Sequence, residues 1–354
     1  MRRTRRIVLG GVPIGGGMPV AVQSMCNTDT RDAGATLAQI RGLRDAGCEI
    51  VRCAVPDEEA AAALRPICAE SPLPVVADIH FDYRLALAAA ENGVAGLRIN
   101  PGNIGARWKV AEVVAACRER ALPIRIGVNA GSLEKELLER YGPSPEASVE
   151  SALKHVRILE ELDFDAVKIS VKASDVRRTV AACRLLAERC NYPQHLGITE
   201  AGTVRVGAIR SAIGIGMLLA EGIGDTIRVS LTGDPVEEVW VAWEILKALG
   251  LRQRGPTLVS CPTCGRCRID LVGLATEVER RLRVYTAPFT VAVMGCAVNG
   301  PGEAREADVG VAGGAGEGLL FRHGVVVGKV PEERLADALL DEIASMLKEQ
   351  GRGQ

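Results

Sequence analysis

Cys261-Pro-Thr-Cys264-Gly-Arg-Cys267 and Gly295-Cys296-Ala-Val-Asn299-Gly-Pro-Gly302-Glu303 are the two stretches whose residue types and spacing can do chemistry. Thiolates with two residues between them on a tight turn grip a soft metal centre from one side. A single Cys on a second loop, shaped by Gly and Pro, closes such a site from the other side. Three centres compete on these residues alone. A structural zinc ion wants four Cys or His ligands, and Cys261, Cys264, Cys267 and Cys296 supply that number. A ferredoxin-type run needs a further Cys soon after Cys267, but residues 268–271 are Arg-Ile-Asp-Leu. The third is a 4Fe–4S cluster held by three Cys and one weaker ligand. Glu303, seven residues after Cys296, offers a carboxylate that can release one iron to substrate.

The elements that must position these loops form two groups. Over residues 20–230, short apolar runs alternate with amphipathic stretches. Strands are expected at 20–23, 50–54, 75–79, 96–99, 124–128, 166–170, 196–199 and 226–229. Helices are expected at 35–46, 58–68, 83–91, 108–120, 145–162, 173–188 and 205–219, with another at 236–249. Eight apolar strands alternating with helices imply a parallel sheet buried on both faces, closed as a (β/α)8 TIM-type barrel. Residues 7–14, with Gly10-Gly11 at the turn, are expected to form a hairpin plugging the amino-terminal end of the barrel.

Chemistry in such barrels sits at the carboxyl ends of the strands. The strand ends here carry Arg52, Arg98, Arg125 with Asn129, Lys168 with Ser170 and Lys172, Glu200, and Arg228 with Ser230. Burying apolar strands does not require Arg or Lys at their ends, and fork-shaped guanidinium groups suit phosphate oxygens. A cationic mouth that binds a phosphate or diphosphate is therefore expected.

After a linker at 253–256 the pattern changes to a smaller α+β domain. Strands are expected at 257–260, 289–294, 309–312, 318–322 and 325–330. Helices are expected at 269–282 and from Pro331 to about Lys348. The expected division is thus 1–252, substrate-binding, and 257–354, carrying the metal centre.

Bulk properties exclude several classes. A net charge of −1 gives no basic field for nucleic acid or an anionic membrane surface, and no run is long and apolar enough to cross a membrane. The amino-terminal Arg-rich segment is followed by Gly- and Pro-rich residues 7–17, which do not form a signal core, so a cytoplasmic protein is expected. Eleven Cys, an odd number, argue against a disulfide framework. Cys26, Cys48, Cys53, Cys68, Cys117, Cys183 and Cys190 lie in apolar or helical surroundings and are expected as small buried hydrophobes.

The two Cys stretches resemble the signatures of the bacterial 4-hydroxy-3-methylbut-2-enyl diphosphate synthase family, which acts in the non-mevalonate isoprenoid pathway. The likeness runs along nearly the whole chain, through Val22-Gln-Ser-Met25, Val76-Ala-Asp-Ile-His-Phe81, Leu97-Arg-Ile-Asn-Pro-Gly-Asn103, Ile126-Gly-Val-Asn-Ala-Gly-Ser132, Leu196-Gly-Ile-Thr-Glu-Ala-Gly202 and Gly224-Asp-Thr-Ile-Arg-Val-Ser230. It implies an oxidoreductase that opens 2-C-methyl-D-erythritol 2,4-cyclodiphosphate by two-electron reduction with loss of water. It implies one 4Fe–4S cluster per subunit, held by Cys261, Cys264, Cys296 and Glu303. It implies substrate contacts from Arg52, Arg98, Arg125, Asn129, Lys168, Arg228, Ser230 and Asn299, with Glu200 as the catalytic acid. His80 and His195 are weighed equally as structural or catalytic. A flavodoxin or ferredoxin donor is implied, as is a homodimer in which one subunit's cluster caps the other's barrel. Cys267 departs from the family pattern and is read as a bystander. The runner-up readings are a pterin-binding barrel enzyme with a zinc-stabilised appendage, and a zinc-ribbon binding module on a barrel scaffold.

Overall fold

The computed structural model describes residues 2–296 and 306–351. The chain divides into two compact units, Met1–Arg252 and Gln253–Gln354.

In the first unit, β1 (Ile7–Leu9) and β2 (Val12–Ile14) form an antiparallel hairpin. Gly10 and Gly11 turn it at φ +53° and +88°, a conformation open to Gly at little cost. Eight parallel strands follow: β3 (Ala21–Met25), β4 (Ile50–Ala54), β5 (Val75–Asp78), β6 (Gly96–Ile99), β7 (Ile124–Asn129), β8 (Val167–Lys172), β9 (His195–Leu196) and β10 (Thr226–Ile227). Each pairs with its sequence neighbour from β3 to β8, and β10 lies between β9 and β3. An Ile169–Gln194 bridge joins β8 to the start of β9, so the sheet closes on itself. Ile7, Leu9 and Ile14 of the hairpin pack with Ala21, Ile50 and Val76, the first inward residues of three barrel strands. The hairpin therefore plugs the amino-terminal end, as its sequence suggested.

The helices are α1 (Ala33–Ala46), α2 (Glu58–Glu70), α3 (Tyr83–Glu91), α4 (Pro101–Ile104), α5 (Arg107–Glu119), α6 (Lys135–Tyr141), α7 (Pro145–Glu160), α8 (Val176–Arg189), α9 (Val204–Ala220) and α10 (Pro235–Ala248). Asp32, Asp57, Asp82, Ser144, Asp175 and Asp234 each accept a backbone N–H of the first turn of the helix they precede, which fixes where these helices start. Asp175 explains one correction: the helix expected from 173 begins at Val176, behind its cap. The short helices α4 and α6 were not expected.

The strands expected at 196–199 and 226–229 shrink to two residues each. Pairing beyond them continues as single bonds, Arg228 N–H to Leu196 O at 3.0 Å and Thr199 N–H to Ala173 O at 3.3 Å. Gly197 follows directly on β9. A Cβ there would lie 2.6 Å from Lys172 Nζ, so the backbone is bare where an ammonium group sits.

The second unit is a five-stranded sheet in the order β11 (Thr257–Ser260), β12 (Thr290–Met294), β13 (Val309–Gly313), β14 (Glu317–Arg322) and β15 (Val325–Pro331). The first three strands run parallel and the last two are antiparallel. The helices α11 (Leu271–Leu282) and α12 (Leu335–Glu349) pack their apolar faces on it through Val278, Leu282, Leu339 and Ile343. Pro331 does not open the last helix as expected. It ends β15, a 3-10 turn at Glu332–Arg334 intervenes, and α12 starts at Leu335. Pro lacks the N–H an inner strand position needs but suits an edge-strand end.

The end of the first unit clasps its beginning. Arg252 donates to Glu49 at 2.6 and 3.0 Å and to Val20 O at 2.8 Å, while Glu49 accepts Val22 N–H at 2.8 Å. Replacing Glu49 by Ala leaves the Val22 N–H and the Arg252 guanidinium without their carboxylate. A loss of about 1.5–3 kcal/mol, the range for hydrogen bonds to charged groups, is expected in urea unfolding followed by circular dichroism. An unchanged midpoint would show that the clasp adds nothing.

Candidate active site

Side chains alternate along a strand, so every second residue of a closed barrel faces its lumen. The inward positions above the plug are unusually polar. Asp78 on β5 pairs with Arg98 on β6 at 2.9 Å and with Arg52 on β4 at 3.4 Å. Arg98 also donates to Gly127 O on β7 at 3.2 Å. A Cβ on Gly127 would run into Arg98 Nε, so this glycine leaves the room the guanidinium occupies. Arg125, Lys168 and Lys172 follow on β7 and β8, and Arg228 follows β10. These groups act on one another electrostatically from strands on opposite sides of the barrel, which places them around one lumen.

The expected ring at the mouth is instead a stack through the barrel. Arg125 and Lys168 are the second residues of β7 and β8 and stand in register with Arg98. They are 4% and 2% exposed and lie below the mouth. Arg52 and Arg228 reach further out, as do Asn129 and Ser230, which are half-buried. His80 is exposed at the rim, 3.3 Å from Arg98 Nη1 through Nε2 and 3.7 Å from Asp78. Glu200 is exposed on the loop after β9, and its φ of +53° is a strained value for a residue with a Cβ.

Several of the groups that organise this lumen are ones the sequence did not single out. Glu238 projects from α10, not from a strand, and is buried. It accepts Ser24 Oγ–H at 3.0 Å, Leu231 N–H at 3.0 Å and the Arg228 guanidinium at 3.2 and 3.3 Å. Arg52 donates to Met25 Sδ at 2.8 Å. His195, noted only as ambiguous, is fully buried and shares a 2.8 Å hydrogen bond between Nδ1 and Thr226 Oγ1. No sequence spacing announces Glu238. A Glu in the first turn of a helix reads as a dipole partner.

The charges do not balance. Among the described residues, Asp78 pairs with Arg52 and Arg98 and Glu238 with Arg228, against the six cations Arg52, Arg98, Arg125, Lys168, Lys172 and Arg228. Burial pushes the Asp78 carboxyl up, but Arg52, Arg98 and Arg125 outweigh it and hold it at about 2. Burial, reinforced by Arg125, drags the Lys168 ammonium down to about 7. Burial with Arg125 and Arg228 holds Lys172 well below its usual range. Burial and the neighbouring cations, Lys172 first, keep His195 a neutral imidazole. A lumen with this excess of positive charge is organised for a polyanion that enters by the mouth.

In the second unit, β11 and β12 are adjacent and parallel, with Ser260 opposite Val293. Cys261 and Cys296 therefore leave the same end of neighbouring strands. Gly295 N–H donates to Cys261 Sγ at 3.3 Å, and Arg268 N–H to Gly295 O at 3.1 Å, tying the two loops together. Cys264 is exposed on the turn, and Arg266 lowers its thiol through a backbone and a side-chain hydrogen bond. Cys267 Sγ donates to Ile269 O at 3.3 Å and lies beside Gly295, where an added Cβ would come within 2.6 Å of it, so this thiol too stands by the two loops. Thiols brought together at one sheet end, one already accepting an amide N–H, suit an iron–sulfur cluster. Among the described residues no group of three or more His, Cys, Asp or Glu side chains is gathered for a metal ion. Asn299 and Glu303 lie outside the described residues. Of the other Cys, five are buried and Cys68 and Cys190 partly so, and burial pushes Cys48, Cys68, Cys117 and Cys183 up to about 12, as unreactive thiols.

Comparison with known proteins adds to this geometry. The family model described as the GcpE TIM-barrel domain matches residues 4–243, and that of the GcpE protein C-terminal domain matches residues 257–345. A Geobacter sulfurreducens protein named 4-hydroxy-3-methylbut-2-en-1-yl diphosphate synthase (flavodoxin) is 70% identical over 348 residues, 98% of this chain and 99% of that protein. A Maridesulfovibrio salexigens protein of the same name is 62% identical over 355 residues, 100% and 99% of the two chains. Among solved structures, Yersinia pestis dihydropteroate synthase shares 10% identity at a TM-score of 0.51, over 69% of this chain and 97% of its own. The Xanthomonas albilineans dihydropteroate synthase with 4-aminobenzoic acid shares 15% at 0.50, over 70% and 99%. At such identities the likeness is one of fold, the barrel. No helix among the described residues is long and apolar enough to cross a membrane.

The unbalanced lumen predicts a pH dependence of stability. Lys168 titrates near 7 in the folded protein and near 10.5 when unfolded, so between these values the unfolded chain holds a proton that the folded chain lacks. Stability of the ligand-free protein then rises with pH through that window. The clean interval is pH 7–8, below the ordinary thiol range at about 8.5, where unfolded Cys begins to ionise. Urea unfolding at constant ionic strength should show the rise, and Lys168→Met should reduce it, leaving the part that Lys172 contributes. A fall over that interval would contradict the buried, unpaired ammonium.

Proposed function

The chain belongs to the GcpE family, and on that premise we propose that it reduces 2-C-methyl-D-erythritol 2,4-cyclodiphosphate to 4-hydroxy-3-methylbut-2-enyl diphosphate in the lumen of its barrel. It is an enzyme of isoprenoid biosynthesis, and its family implies an iron–sulfur cofactor. The observation that carries the substrate assignment is the excess of buried cations over carboxylates in the lumen, which a diphosphate neutralises. A pterin-binding barrel is not favoured, because the family match spans both units and the lumen is built for charge.

Arg228, oriented by Glu238, and Arg52 and Arg98, oriented by Asp78, bind the two phosphates with Lys172, Asn129 and Ser230. Arg125 and Lys168 act from beneath, as long-range charge. Because the guanidinium groups are fixed before substrate arrives, they stabilise the charge that the diphosphate gains as its ring C–O bond breaks, without reorganising. A 4Fe–4S cluster bound by Cys261, Cys264, Cys296 and Glu303, one per subunit, supplies two electrons singly and a Lewis-acidic iron. Glu200 on the rim loop is the acid that helps the hydroxyl leave as water, and Asn299 meets the substrate from the cluster side. Flavodoxin is the electron donor, in line with the names of the relatives. The enzyme is cytoplasmic and works as a homodimer, with each cluster domain over the partner's barrel mouth. The linker at 253–256 is short, and an extended chain spans only about 3.3–3.6 Å per residue.

Two expectations test this reading. Cys296→Ala is expected to lose iron, acid-labile sulfide and activity together, while Cys267→Ala keeps all three. Full iron in the first variant, or its loss in the second, would reverse the ligand assignment. Arg228→Ala should bind substrate about 10- to 150-fold more weakly, the equivalent of about 1.5–3 kcal/mol, with an unchanged cluster spectrum. Mixing Cys296→Ala chains with Arg228→Ala chains should regain activity through heterodimers with one intact site. No recovery despite demonstrated subunit exchange would mean that each site is built within one chain.

A further inference from the structure

The turn that presents Cys264 also carries Cys267, a thiol left over by the assigned cluster ligands. Cys267 N–H donates to Cys264 O at 2.9 Å, closing a β-turn with Gly265 and Arg266 at its centre. Such a turn holds its first and last Cα atoms less than about 7 Å apart. A disulfide spans Cα atoms about 4.4–6.8 Å apart, so the backbone already holds the pair in bridging range. The Cys264 sulfur accepts backbone N–H groups from Arg266 and from Cys267 itself. For Cys267 Sγ to reach the sulfur beside its own N–H takes a rotation about χ1 and the loss of one weak bond, that to Ile269 O at 3.3 Å.

The turn is open to solutes. Residues 262–266 are all exposed, and a Cβ added at Gly265 would meet nothing within 4 Å. Cys267 is half-buried behind the exposed Cys264. An accessible thiol that attacks and a sheltered one that resolves are the two parts of a redox-active pair. Cys26 and Cys53 also share a hydrogen bond, but both are buried in the barrel core, away from any soluble oxidant.

We propose that Cys264 and Cys267 are a dithiol–disulfide site, oxidised in the cluster-free chain by a small soluble disulfide such as glutathione disulfide and reopened by excess thiol before the cluster enters. The Cys264 thiolate attacks glutathione disulfide, whose S–S bond breaks. The first glutathione leaves with the proton that Cys264 had lost. The Cys267 thiol then attacks the Cys264 sulfur, and its proton goes with the second glutathione. Two protein thiols become one disulfide as one glutathione disulfide becomes two thiols. The bond withdraws Cys264 from iron and shields it from irreversible oxidation. The effect on the cluster rests on Cys264 being a ligand, as proposed above; the disulfide itself does not.

The full-length chain, stripped of iron and reduced, is equilibrated anaerobically in glutathione buffers, acid-quenched, alkylated and mapped by mass spectrometry. A Cys264–Cys267 disulfide should grow with the share of glutathione disulfide and vanish in excess thiol. Cys267→Ser should stop at a glutathione adduct on Cys264. Cadmium ion, followed by its thiolate absorption, should bind the oxidised chain at least about tenfold more weakly than the reduced one, since losing an inner ligand costs no less than disturbing an outer one. An unaltered chain that stays reduced, stops at the adduct, or joins Cys267 to a different Cys overturns the site. Equal cadmium binding overturns the effect on the metal. Should Cys267→Ser fail to fold, the map of the unaltered chain decides alone. The two readings fail separately: full iron in Cys264→Ala would strike Cys264 from the cluster ligands and leave the disulfide of the unaltered chain standing, whereas absence of the disulfide leaves the ligands as assigned.

Discussion

A closed barrel gives the inward side chains of its strands nowhere to go but one narrow lumen, and here six of those side chains are Arg or Lys. Everything about the first unit follows from the need to hold them. Asp78 stands between Arg52 and Arg98 and stays ionised because they surround it. Glu238 reaches in from a helix to fix Arg228 and Ser24. Gly127 and Gly197 give up their side chains so that a guanidinium and an ammonium fit in the space. An apolar hairpin seals the end at which no ligand enters.

Such an arrangement stores a conflict that ligand binding resolves. Without a polyanion, the lumen disfavours its own charges, and the lysines respond by holding their protons weakly. In the proposed complex with a diphosphate, the cations nearest the mouth gain a counter-charge, while Arg125 and Lys168 act from beneath. Sites that are poorly satisfied when empty and well satisfied when filled lower stability in exchange for preorganisation, a trade frequent in enzymes. The surrounding helices, capped by Asp or Ser at their starts and packed on a continuous apolar layer, supply the stability that the lumen does not.

The second unit solves a different problem. Soft ligands must converge from distant parts of the sequence, and two adjacent parallel strands achieve this by ending side by side. The hydrogen bond from Gly295 to Cys261 ties the two loops, and Cys267 lies against the same Gly295.

Much of this was legible in the residues. Apolar runs alternating with amphipathic ones gave the eight strands, since burial on both faces leaves a strand no polar positions but its inward ends. The Gly10-Gly11 hairpin was equally plain, because turn chemistry is local. Strand ends at 196–199 and 226–229, the start of the helix at Val176 and the stop at Pro331 were misjudged, because caps and close contacts decide such ends. The residues alone placed Arg52, Arg98, Arg125, Lys168 and Arg228 in or just after strands of one barrel, which implied a cationic site. They could not fix the depth of these side chains. Only closure of the barrel, with its stagger between strands, decided that Arg125 and Lys168 stand below the mouth. Only packing brought Glu238 from α10 to Arg228, because electrostatic partners across a fold are chosen by distance in space, which no spacing along the chain records.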